Sequence, residues 1–124
     1  MTNTNWLGGL NPLVREQVFT EMRSLRKTAD CHFDTYRRLA PRNGEIPVGG
    51  RHIDSFARGE TIAVFLRGIS NGLTPSEAVI SAKEEAKLIF ENWNKGRKDY
   101  QVHRYLSGLD PMLQTIEINF SRYG

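Results

Sequence analysis

The sequence predicts a mainly α protein: a small bundle of three to four helices, made of a long N-terminal helix, an αα-hairpin and an extended C-terminal arm. Three observations carry this. Apolar residues recur at steps of three and four over much of the chain, the spacing of one helical face. The tetrapeptide Gly-Leu-X-Pro occurs three times, at Gly9–Pro12, Gly72–Pro75 and Gly108–Pro111, each time with a helix-capping residue at X. Residues 41–54, PRNGEIPVGGRHID, concentrate prolines and glycines between the periodic segments and read as a loop. At 124 residues the chain suits a single domain around one core.

Residues 1–10 form a polar leader containing Trp6 and Leu7. Asn11 and Pro12 then mark a helix start: the asparagine oxygen can accept an N–H of the first turn, and proline has no N–H to leave unpaired. Val14, Val18, Met22, Leu25, Ala29, Phe33 and Tyr36 form one stripe, and nothing breaks it before Pro41. A helix over 11–40 would be roughly 42 Å long, more than a compact domain of this size needs, so part of it is expected to pack on another chain. Its other faces carry the charges, with Arg26/Asp30 and Asp34/Arg38 at the supporting i, i+4 spacing.

Asp54 or Ser55 is expected to cap a second helix, the most buried element, with Phe56, Ile62, Phe65, Leu66 and Ile69 in its stripe. Gly59 and Gly68 inside it imply the close approach of a neighbour. Thr74, with Glu77 three residues on, makes a capping box for a third helix from Pro75 to about Trp93, closed by Asn94-Lys95-Gly96. Residues 55–96 are therefore the αα-hairpin, and Tyr100–Leu106 a short fourth helix.

At the C-terminus two signals conflict. Asp110-Pro111 announces a helix, but Ile116, Glu117, Ile118, Asn119, Phe120 and Ser121 alternate apolar and polar. The alternation favours an extended, strand-like arm within 97–124, which would pair with a neighbour.

Composition excludes several classes. The 39% hydrophobic and 25% charged fractions are those of a globular protein. No apolar run approaches the roughly 18 residues a bilayer span needs, and the first residues lack a signal peptide's basic and apolar regions. One cysteine, Cys31, forms no internal disulfide, so a cytoplasmic location, or a particle assembled in the cytoplasm, is expected. The net charge of +3 lies in one half: residues 1–58 carry nine basic and six acidic groups, and the remainder eight of each. That excess is small for a protein that binds nucleic acid through phosphates.

No catalytic, metal or cofactor motif emerges, and no small-molecule substrate is evident. Cys31 and His32 are adjacent but diverge by about 100° on a helix, with no ligand one turn away. Glu84 and Glu85 sit among Lys83 and Lys87, as a salt-bridged surface does. Val48-Gly49-Gly50-Arg51 lacks the spacing of a phosphate loop. A helix-turn-helix reading of the hairpin would bring Glu84 and Glu85 toward phosphates, which argues against it.

Two sets of binding residues remain. Arg37, Arg38, Arg42 and Arg51 could grip phosphates, or could offset the dipole at the end of the first helix. Trp6, Ile116, Ile118, Phe120 and Tyr123 could dock on a partner, with Trp6 equally able to fold back on the bundle. A helical body with an over-long helix and an extended arm resembles, at the level of architecture, subunits of symmetric assemblies such as the head-to-tail connector and terminase-type proteins of tailed viruses. The expected function is accordingly a non-enzymatic assembly or adaptor subunit, a homo-oligomer or part of a larger assembly such as a virion. A small basic nucleic-acid-binding accessory protein is the alternative, and a protein inhibitor or regulator the next.

Overall fold

A computed structural model describes residues 5–39, 51–93 and 100–123. It consists of four helices: α1 (Pro12–Leu39), α2 (Arg51–Ser70), α3 (Pro75–Trp93) and α4 (Tyr100–Ser121). The described residues contain no strand, so the mainly α class holds.

Local chemistry sets the helix ends. The Asn11 side chain accepts the Leu13 N–H at 2.9 Å, and the Asn11 carbonyl accepts Arg15 N–H at 2.8 Å. The capping box forms in full: Glu77 N–H donates to Thr74 Oγ1 at 3.2 Å, and Thr74 N–H donates to Glu77 Oε1 at 3.0 Å. Because the ionised carboxylate accepts that backbone bond and a second from the Thr74 side chain, the Glu77 pKa falls below its ordinary 4.5. α2 ends in a Schellman motif. Gly72, at φ +94°, donates to Ile69, and Leu73 donates to Gly68.

α2 starts at Arg51, before the expected Asp54 or Ser55 cap. No breaker follows Gly50, so helix can extend back to the last glycine. Asp54 sits in the first turn and pairs with Arg58 at 3.1 Å. The expected terminator Asn94-Lys95-Gly96 lies outside the described residues.

α2 is the central helix. Ala57, Thr61, Ile62, Ala63, Phe65, Leu66 and Ile69 are buried, and its exposed edge carries the Arg67–Glu60 pair. α1 packs on it through Val18 and Ala29, with Met22, Leu25 and Phe33 half-buried beside them. Phe56 stands 6.0 Å from Phe33 and 5.1 Å from Tyr36, ring centroid to centroid, tying the end of α1 to the start of α2. α3 crosses closely at Gly68. A Cβ there would lie 3.0 Å from the Ala78 Cβ, the close approach expected of this glycine. At Gly59 the neighbour is the Phe33 ring, 2.9 Å from where a Cβ would stand.

The extended arm is corrected. Residues 107–121 continue α4, and Ile116 and Phe120 are core residues of a helix. Leu109, Leu113, Ile116 and Phe120, spaced by four, three and four, all point inward, and Phe120 meets Phe65 edge to face at 4.9 Å. Gly108–Pro111 is therefore not a helix start, since Pro111 lies inside α4. An interior proline costs about 3 kcal/mol. Burying four large apolar side chains at about 1.5–3 kcal/mol each outweighs it. Arg58 anchors this stretch from α2, donating to the Gly108 carbonyl at 3.4 Å.

The leader folds back on the bundle. Trp6 N–H donates to the Gly72 carbonyl at 2.9 Å, and Trp6, Leu7 and Leu10 pack against the core. The Arg15 guanidinium fastens the leader to α1, donating to the carbonyls of Leu7, Gly8 and Leu10 at 3.0–3.2 Å. No helix is long and apolar enough to cross a membrane.

Candidate interaction surfaces on the first helix

The fold disperses the arginine cluster read from the sequence. Arg37 and Arg38 both lie exposed on the last turn of α1. Arg37 is ion-paired with Asp34, one turn back, and Arg38 donates to Thr35 Oγ1 at 3.2 Å. Arg42 lies outside the described residues, and Arg51 opens α2. The two arginines that can be placed side by side are held by their own helix, and one is neutralised.

The five docking candidates also separate. Ile116 and Phe120 are core and unavailable to a partner. Trp6 is half-buried against the bundle. Tyr123 is half-buried too, its hydroxyl donating to Glu21 Oε2 at 2.5 Å across 102 residues of sequence. That bond, aided by burial and the nearby Glu21 charge, raises the phenol above its ordinary 10.0. Ile118, 56% exposed, faces outward.

Cys31 is exposed on the outer side of α1, while His32 is half-buried toward α2. Burial lowers the His32 pKa below its ordinary 6.5; the Arg58 guanidinium adds to this and Asp54 opposes it. Among the described residues, no group of three or more His, Cys, Asp and Glu side chains is placed to hold a metal ion.

A different surface emerges from the packing of α1 on α2. Phe19, Met22, Arg23, Arg26 and Lys27 share one flank of α1, and with Leu66 and Ser70 of α2 they line an open groove of about 470 Å³. Its floor is apolar, from Phe19, Met22 and Leu66, and its rim cationic. Among the described residues no carboxylate stands within ion-pair distance of Arg23, Arg26 or Lys27. Arg23 donates to Thr20 Oγ1 at 3.1 Å. Sequence reasoning placed these cations on a solvated face. The available signal was their i, i+3, i+4 spacing beside Phe19 and Met22, which marks a basic flank bordering an apolar one.

No protein-family model matches the sequence, and neither the curated proteins nor the solved structures yield a match.

Proposed function

We propose that the chain is a non-enzymatic adaptor or assembly subunit that docks, through the outer surface of α1, on a partner protein or on a second copy of itself. The observation that supports this is the outer face of α1, which the bundle leaves uncovered. Of its 28 residues only Val18 and Ala29 are fully buried, while Leu13 is 78% exposed and Leu39 41%. A helix of roughly 42 Å, laid along one of roughly 30 Å, offers more length than covering the core requires. The likeness to subunits of symmetric viral assemblies had two supports, the over-long helix and the extended arm, and α4 removes the second. An adaptor is therefore favoured over a particle subunit, acting in the cytoplasm.

Light scattering and site-specific photo-crosslinking test the reading together. Self-association gives a mass above 14.2 kDa at about 100 µM, where a weak dimer populates by mass action, and Leu13→Glu returns it to the monomer. Docking on a foreign protein gives adducts from a crosslinker at Leu13, in the cells the chain comes from, that a crosslinker at the exposed Ile80 of α3 does not give. A monomer at every concentration with no adduct specific to Leu13 overturns the proposal.

A further inference from the structure

The groove between α1 and α2 deepens that reading, on which it rests, by specifying a partner. We infer that it receives an acidic amphipathic helix of another protein, with apolar side chains on Phe19, Met22 and Leu66 and carboxylates against Arg23, Arg26 and Lys27.

Charge complementarity supports this occupant. Four cations of the bundle have carboxylate partners, Arg37 with Asp34, Arg58 with Asp54, Arg67 with Glu60 and Lys87 with Glu91, while Arg15, Arg38 and Arg122 are engaged by carbonyl, hydroxyl or amide oxygens. The three on the groove make no ion pair among the described residues, and three cations within two turns of one helix face leave a local positive excess. Glu16 and Asp30 lie on the same side of α1 and bound the basic stretch at either end, which limits it to about two turns. A partner helix presents side chains at i, i+3 or i+4 and i+7, and an open trough between two helices takes such anchors. Acidic residues beside the anchors meet the cationic rim, which speeds encounter and fixes orientation. A duplex would satisfy the cations but leave the apolar floor wet, and a single strand could stack a base on Phe19 but not cover the aliphatic Met22 and Leu66, so the floor favours the peptide.

Fluorescence anisotropy with the whole chain at low salt tests it. The probes are a labelled amphipathic peptide of leucine and glutamate at helical spacing, a scramble of the same composition, a lysine-for-glutamate counterpart, and single- and double-stranded DNA. Saturable binding of the acidic amphipathic peptide is expected, with the scramble and the basic peptide each at least about tenfold weaker. Arg26→Glu with Lys27→Glu should weaken binding by a further factor of about ten or more, and Phe19→Ala should weaken it without changing its salt dependence. Arg122→Glu, exposed at the end of α4, should leave it unchanged. Should the charge-reversed variant lose its helical signal, Arg26→Gln with Lys27→Gln takes its place. Equal binding of the scramble, indifference to the charge changes, binding of DNA but not peptide, or no saturation by about 1 mM peptide overturns the inference. If it fails while Leu13 still gives adducts, the docking reading stands and only the groove's occupant falls. If both fail, both fall.

Discussion

Individual residues in this bundle are constrained mostly at its turns. Gly72 holds φ +94° while its carbonyl accepts Trp6, and an added Cβ would stand 3.1–3.3 Å from Asn5. Gly72→Ala should therefore cost about 1–2 kcal/mol in urea denaturation, from left-handed strain alone. Thr74→Ala, which removes the cap of α3, should cost about 1 kcal/mol. Two groups make stability fall on acidification. The His32 pKa is lowered in the fold, so protonation favours the unfolded chain, and stability present above pH 6.5 declines as pH drops below it. Glu77 is lowered as well, so its contribution is present above pH 4.5 and is lost as pH falls further. Urea midpoints measured from pH 8 to pH 3 should show His32→Gln flattening the first decline and Glu77→Gln the second. An unchanged profile in either variant would refute that assignment.

At the scale of elements, α1 and α3 were legible because their starts are written in two to four adjacent residues, Asn11-Pro12 and Thr74 to Glu77, whose chemistry needs no tertiary context. α4 was not, for a physical reason. Ile116, Ile118 and Phe120 fit an alternating strand, but Leu109, Leu113, Ile116 and Phe120 fit a helix equally well, and only burial in the core shared with α2 and α3 decides between them. Pro111 added to the ambiguity, since its local cost argues for a boundary that packing overrides. The two patterns differ at Ile118. In a helix Phe120→Ala should cost about 3–5 kcal/mol and Ile118→Ala no more than about 0.5. A strand with 116, 118 and 120 on one face would make the two costs alike, and thermal melts of both variants decide the matter.

For the molecule as a whole, one core joins all four helices, with Val18, Phe65, Val79 and Phe120 in a single buried cluster. Removing residues 109–123 should consequently abolish the helical circular dichroism of the entire chain rather than α4's share of it, as expected of a cooperative two-state domain. A truncated chain that kept most of its ellipticity would show that α1–α3 fold alone. The candidate surface was less legible than the fold. Each cation of the groove is visible beside the α1 stripe, but Leu66 and Ser70 join them only through tertiary packing.

Cys31 is the single cysteine of the sequence, is exposed, and lies one turn beyond Lys27 on α1. The native chain thus carries a unique attachment point for a maleimide dye or a nitroxide, next to the groove but absent from its lining. Energy transfer or paramagnetic broadening from that thiol can report distance to a bound helix, or to the thiol of a second copy, without any engineered substitution.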